Sequence, residues 1–425
     1  MWTRDSPLQQ ALADVALGKL DCRSAFDAMT PAGPLDIAAL KSAFSTLLGE
    51  PAPPSPFLLS SLLSLLSFVD DRPTSTLVRN DLLPLLQRLV DEALAEPSVD
   101  AADLTLLAGV LSRFCTDEAF PYIVKLVRAC PGERRWATIF RGFSARHPYT
   151  ERLLGELGRE LPSGFAAVAF LELANTRARA GKLARHPFDS EPGCALLRAF
   201  LAERDAQRVS YGHSAAAALP YLSHPVGGEL LEQALAHPEP NVRIEAAWAA
   251  TKLGKAIGLQ QLRAWCLDIN YSRRAQAYLR ELDHDDAIPP ECRAQAFQAR
   301  AAMCEWLAHP AELGRPARSV DVTGTWEVLW PPTGDRRRLW VLRYVCETTS
   351  DAEATQEQAG QGLVGSVTFA LFGTDTATLP PLHVLALHCC WELEQGGQSK
   401  GERSVEAGLA LLLARNPELA GDLPN

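Results

Sequence analysis

The sequence predicts a mostly α protein: an α-solenoid of stacked helix pairs followed by a small C-terminal α+β domain. Three observations predict it. From the start to about Leu313, apolar residues recur with the period of amphipathic helices, and the joints are short turns rich in Pro, Gly, Asp and Ser. Within that stretch, alanine-rich helices ending at Leu222, Leu253 and Leu282 recur at intervals of about 30 residues, the scale of helical repeats. Beyond "HPAELGRPARS", His309 to Ser319, the period changes to two, and β-branched and aromatic side chains take over.

The totals fit this class. With 425 residues the chain is long enough for a large core, and 47% hydrophobic against 22% charged residues exclude a wholly disordered chain and a polytopic membrane protein. A net charge of -10 disfavours generic phosphate-backbone binding. The first residues, "MWTRDSPLQQALADVALGKLD", carry no secretory signal, and ten thinly spread cysteines point to reduced thiols in a cytoplasm. The longest apolar run, Phe57 to Val69, is too short to span a bilayer and reads as a buried helix.

Residues 1–190 form the first region, helical throughout and a candidate for degenerate repeats. Ser98 or Asp100 can cap a helix whose Leu104, Leu107, Leu111 and Phe114 share one face, and Thr116 can cap the next, which carries Phe120, Ile123 and Val127. Residues 191–315 form the repeat region. Its clearest element is "HPEPNVRIEAAWAATKLG", in which Pro238 and Pro240 set up a helix, Asn241 caps it, and Val242, Ala246, Ala249, Leu253 and Ile257 trace a buried stripe. Gly254 or Gly258 can end it. Its alanines keep the helix thin so that flanking helices approach closely, with Trp248 supplying bulk. Residues 320–425 form the α+β region. Val322, Trp326, Val328 and Trp330 alternate in a first strand, Pro331 to Gly334 make a turn, and "RRLWVLRYVCE" is a second strand. "TTSDAEATQEQAGQG" reads as a polar loop before a third strand carrying Leu363, Val367, Phe369 and Leu371. The tail returns to helix.

"PEPNVRIEAAWAATKLG" resembles the HEAT-like repeat of bacterial proteins, with the match carried by Asn241, Val242, Arg243, Ala246, Ala247, Leu253 and Gly254 and extending over about residues 192–285. The resemblance implies stacked helix pairs and permits an activity of the bilin lyase and isomerase type found on such repeats. Residues 12–50 are similar to the small helical domain that opens the anthranilate and thymidine phosphoribosyl-handling enzymes. No glycine-rich phosphate loop follows, so the likeness implies a helix pattern without the activity.

Chemistry-bearing residues are sparse. His383, His388, Cys389 and Cys390 form the densest group of potential zinc ligands, but histidines five apart diverge by about 140° on a helix, and small buried cysteines are the favoured alternative. Asp283, His284, Asp285 and Asp286 fill a turn that suits a cation, a basic group or plain solvation. Tyr211, His213 and His224 lie near repeat turns, where they could line a groove for a partner or make contacts between helices. Arg134, Arg135, Arg141, Arg146 and Arg152 accompany Trp136, Phe140 and Tyr149, and Arg336 to Arg338 precede a strand. A solvated face with the aromatics in the core is favoured over a nucleic-acid surface. No Gly-x-Ser-x-Gly elbow between a strand and a helix, no His-Glu-x-x-His and no Walker loop is present, since the Gly-x-Ser-x-Gly spacing of Gly397 to Gly401 falls between the two helices of the tail. No catalytic residue, metal or cofactor is therefore assigned. The expected function is a protein-protein interaction scaffold, with an enzyme related to the HEAT-like bilin lyases or a helical-repeat nucleic-acid binder as the alternatives.

Overall fold

The computed structural model describes residues 14, 75–95, 100–143, 147–205, 208–309, 312–349, 355–365, 370–372, 377–397 and 403–423. The run at 57–69, most of the segment 12–50, the cap at Ser98, Arg146, Val367 and Phe369 lie outside these residues. The protein is mostly helical, with one small antiparallel sheet near its C-terminus. The chain forms two compact units, Met1–Ala249 and Ala250–Asn425.

The first unit holds α1 (Ser75–Ala95), α2 (Ala101–Phe114), α3 (Phe120–Ala129), α4 (Trp136–Gly142), α5 (Thr150–Arg159), α6 (Gly164–Arg179), α7 (Glu191–Ala202), α8 (Val209–Ala218), α9 (Gly227–Leu235) and most of α10 (Pro240–Lys252). Local chemistry sets the helix starts. The Asp100 carboxylate accepts the Ala102 amide at 3.1 Å, and Thr116 Oγ1 accepts the Ala119 amide at 3.1 Å. Helices pack mainly on their near neighbours in sequence, as in α2 on α3, α7 on α8 and α8 on α9. An aromatic series crosses this core, from Trp136 to Phe140 at 5.6 Å, on to Phe170 at 6.3 Å and then to Phe188 at 5.9 Å. The Trp136 indole donates to the Cys130 carbonyl at 2.7 Å, so the buried ring leaves no unmet donor.

Helix α10 differs from its expected form in two ways. Its buried surface is no stripe, because Val242 and every residue from Ile244 to Ala250 is buried. The small alanines let neighbours close in on all sides, since a larger side chain at Ala246, Ala247, Ala249 or Ala250 would push a neighbour away. At its start, Asn241 lies inside the first turn. Glu239 occupies the capping position, its carbonyl accepting Val242 and Arg243 and its carboxylate accepting Asn241 Nδ2 at 3.0 Å. At its end, Gly254 adopts a left-handed φ of 72°, and the Lys255 amide returns to the Ala250 carbonyl at 2.9 Å. Leu253 and Ile257 therefore fall at and beyond the helix stop, where both are exposed rather than in the predicted buried stripe.

The second unit contains α11 (Ala256–Leu267), α12 (Ser272–Glu281), α13 (Gln295–Leu307), strands β1 (Ser319–Leu329), β2 (Arg336–Thr349), β3 (Thr355–Val364) and β4 (Ala370–Phe372), then α14 (Pro381–Gln395) and α15 (Val405–Arg415). The strands form an antiparallel meander in the order β1-β2-β3-β4. One sheet face packs on α13 through Val320, Leu342, Tyr344, Cys346 and Val364. The other packs on α14 through Val328, Trp330, Leu339, Val341 and Leu363.

Strand β1 serves both cores by changing parity. Val320 and Val322 lie with the α13 core, whereas Trp326, Val328 and Trp330, also even-numbered, lie with the α14 core. The pairing explains this, because Val322 opposes Leu342 and Gly324 opposes Val341, leaving Thr323 as an extra residue. One added residue turns the following side chains to the opposite face. The sequence pattern had put Val322 on the same face as Trp326. A second difference concerns Thr355 to Gly362, expected in a polar loop and found as strand β3 against Thr349 to Leu342 of β2. Gln361 is buried there and donates through Nε2 to the Leu379 carbonyl at 3.0 Å, so a polar side chain is accommodated inside the sheet.

Asn416, just past α15, docks onto the outer side of β1. Its Oδ1 accepts the Leu329 amide at 2.7 Å, and its Nδ2 donates to the carbonyls of Leu329 at 3.1 Å and Leu412 at 3.0 Å. Replacing the buried Asn416 by alanine leaves the Leu329 amide and carbonyl unmet, while the Leu412 carbonyl keeps the backbone amide of residue 416 at 2.8 Å, and is expected to cost about 3 kcal/mol. Urea unfolding checks this. A loss below about 1 kcal/mol would mean that water replaces the amide.

Candidate functional site

A cavity of about 820 Å³ opens between α2 and α4, a volume suited to a small organic molecule. Its apolar part is made by Leu106, Gly109 and Ile139, and its polar part by Ser112, Arg113, Cys115, Arg134, Arg135, Thr138 and His147. Gly109 lies mid-helix in α2, and a Cβ there would meet only Ile139, at 3.7 Å. A larger residue at this position would occupy the cavity.

Cys115 and His147 stand together on the wall. Cys115 caps α2 in a left-handed conformation, φ 47° and ψ 48°, which is uncommon for a residue other than glycine. Its Sγ lies 3.4 Å from His147 Nε2 and 3.6 Å from the Ser112 carbonyl. The imidazole has its hydrogen bonds fixed. Nε2 is 2.8 Å from the Ser112 carbonyl and must donate to it, while Nδ1 accepts the Tyr149 amide at 3.2 Å. In this tautomer no ring lone pair faces the thiol, so His147 is not set up as a general base for Cys115. The pair closes the C-terminal end of α2.

The rim carries charge of one sign. Among the described residues, three arginines and no carboxylate line the cavity in a chain of net charge -10. Arg113 and Arg135 make no ion pair with any described residue. Other arginines are engaged. Arg152 pairs with Asp117 at 2.5 Å and lies over the Phe120 ring, Arg337 pairs with Asp335 at 2.9 Å, and Arg338 with Glu327 at 3.0 Å. Trp136 and Phe140 are buried, so they offer no stacking surface to a nucleic acid.

The other sequence candidates lie in separate surroundings. His388 is buried in α14, its Nε2 3.3 Å from Glu392 Oε2, the same oxygen that accepts the Trp330 indole at 3.2 Å. Cys389 is buried in the same core, which pushes its thiol up to about 12. Cys390 turns instead toward the Ser404 carbonyl at 3.7 Å, and partly exposed His383 interacts with Glu406. Among the described residues no group of three or more His, Cys, Asp or Glu side chains could hold a metal ion. Tyr211 packs edge-on to Phe200 at 5.2 Å, and His213 lies 3.0 Å from the buried Glu245 of α10. The His224 amide donates to Asp189 at 2.9 Å. Asp285 receives Arg280 at 3.3 Å and Arg293 at 3.1 Å, so the acidic turn at 283–286 is tied to arginines of its own chain.

A second surface feature lies on α11. Its buried side presents Gly258, Leu262 and Cys266, and its outer side Ile257, Ala264 and Leu267, with Leu253 just before it. Leu253, Ile257 and Leu267 are 44%, 44% and 54% exposed, and they are three of the five large exposed hydrophobic residues among those described. Their crowding into one short segment distinguishes them from scattered surface leucines.

No family model matches the chain, and no curated protein or solved structure matches it. Among the described residues no helix is long and apolar enough to cross a membrane.

Proposed function

We propose that the chain is a protein-protein interaction scaffold built on a HEAT-like solenoid, and that the outer side of α11 is its contact surface. The apolar group Leu253, Ile257 and Leu267 carries this reading, because large side chains left in water on one helix side are stabilised when a partner covers them. Helices α8, α10 and α12 begin at Val209, Pro240 and Ser272, intervals of about thirty residues, each preceded by a partner helix, which supports a repeat organisation. The partner is another protein, met in a cytoplasm. The nine described cysteines form no disulfide, which suits a reducing compartment.

The test compares the full chain with its Leu253→Glu/Ile257→Glu/Leu267→Glu variant, both tagged and passed through lysate, with cross-linked peptides mapped by mass spectrometry. The native chain is expected to retain a partner cross-linked at residues near α11, and the variant to bind it more than about tenfold more weakly at unchanged helicity. Retention of the same proteins by both chains, or of none by either, would remove the reading.

A further inference from the structure

We propose that the cavity between α2 and α4 is a binding site for a small amphipathic organic anion, an oxyanion head carried on an apolar body. This is a second site, on residues apart from the α11 surface, and does not rest on the scaffold reading.

Three independent observations carry it. The first is shape: about 820 Å³ of space, kept open at its apolar side by a glycine within a helix. Glycine in a helix interior costs about 1 kcal/mol relative to alanine, and no neighbouring atom requires it at Gly109, where an added Cβ would make ordinary contact with Ile139. The missing side chain therefore leaves room for something other than the protein. The second is charge. Arg113, Arg134 and Arg135 line the cavity with no acidic side chain among the described lining residues, and Arg113 and Arg135 have no carboxylate partner among the described residues. All three are exposed at the rim beside the apolar lining, where guanidinium groups offer forked donors to an oxyanion. The third is the presence of two chemistries in the lining. Apolar Leu106, Gly109 and Ile139 line the cavity together with the arginines and Thr138, which fits a ligand with both an apolar and an anionic portion and disfavours inorganic phosphate alone.

The wall residues set what happens there. His147 and Ser112 already have fixed partners, with Ser112 Oγ donating to the Gly109 carbonyl at 2.7 Å. The ligand is thus bound by the arginines, and Cys115 acts as a reporter. It is the one described cysteine that is not buried.

The probe is 1-anilinonaphthalene-8-sulfonate, titrated into the full chain by fluorescence, beside its uncharged relative N-phenyl-1-naphthylamine. The expected result is one saturable sulfonate site, weakened about tenfold or more in Arg113→Ala/Arg135→Ala and lost in Gly109→Leu. The sulfonate is also expected to slow iodoacetamide labelling of Cys115, followed on its own peptide by mass spectrometry. Circular dichroism controls for folding, and if Gly109→Leu fails to fold, the double arginine variant on the surface still decides the matter. Equal affinity of the charged and uncharged probes, sulfonate binding unchanged in the double arginine variant, or Cys115 labelling unaffected at saturation would each overturn the proposal. Sulfonate binding that disappears instead in the α11 glutamate variant would do the same, by placing the probe on the other surface.

Discussion

Alanine in place of Gly408 is expected to destabilise the second unit by about 3 kcal/mol, although the same change normally favours a helix. Gly408 sits within α15, where α14 approaches it backbone to backbone. A Cβ at Gly408 would lie 2.1 Å from the Ala386 carbonyl oxygen and 2.5 Å from its carbon. No rotamer can relieve a contact with main chain, so the two helices must separate and the leucines between them lose packing. The intrinsic gain of roughly 1 kcal/mol is too small to offset that. Gly155, exposed within α5 with nothing within 4 Å of its added Cβ, provides the matched control. Gly155→Ala should be neutral or stabilising by up to about 1 kcal/mol in urea unfolding. If both variants behave alike, the close approach of α14 and α15 is not what fixes glycine at 408.

Acidification from pH 6.5 to about 4 is expected to remove about 3 kcal/mol of stability from the first unit through His186 alone. This imidazole is buried between α6 and α7, and burial pushes it down to about 4 in spite of the nearby Asp189 charge. Its Nε2 donates to Asn175 Oδ1 at 3.1 Å, Nδ1 accepts the Phe188 amide at 3.3 Å, and Asn175 in turn donates to the Ser214 carbonyl at 2.8 Å. The unfolded imidazole titrates near 6.5, so between 6.5 and 4 the unfolded chain holds the extra proton. The stabilisation is complete above 6.5 and lost as pH falls toward 4. Burial and the Arg204 guanidinium also hold His237 low, adding loss in the same direction. His186→Gln separates the two contributions. It should reduce the fall in the unfolding free energy from urea titration by about 3 kcal/mol, and an undiminished fall would assign the sensitivity elsewhere. Asp189 acts at lower pH. Burial raises it, but the Ser223 hydroxyl and the amides of His224 and Ser223 hold it below the usual carboxylate range, so its contribution is present above about 3.9 and lost below.

Local rules made some elements legible. Asp100 and Thr116 begin helices because a side-chain oxygen can meet a terminal amide, and Pro331 to Gly334 turns the first hairpin, with Gly334 at a φ of 74°. Long-range pairing decided the rest. The segment "TQEQAGQG" has the composition of a loop and becomes strand β3 because β2 supplies a partner along its length. The inserted Thr323 changes the side on which every later β1 residue points, and alternation alone does not show where such an insertion falls. The cavity was least legible, since Gly109, Arg113, Arg135 and His147 come from three parts of the first unit and carry no motif. A glycine inside an otherwise regular helix was the one available hint. Arg134 and Arg135 stand out in the sequence, but only the structure places them on the same cavity as Arg113.

The docking of Asn416 also bears on how the molecule keeps to itself. Strand β1 is one of the two edge strands of the sheet, and an edge strand with open amides and carbonyls invites a foreign strand to add on. At Leu329 a side-chain amide supplies the acceptor and the donor that an incoming backbone would offer, and at Val320 the Arg300 guanidinium takes the carbonyl at 2.6 Å. Both ends of the border are thereby already occupied. Along this edge the Leu329 amide and carbonyl and the Val320 carbonyl are not free for an incoming strand, which works against intermolecular β-assembly there.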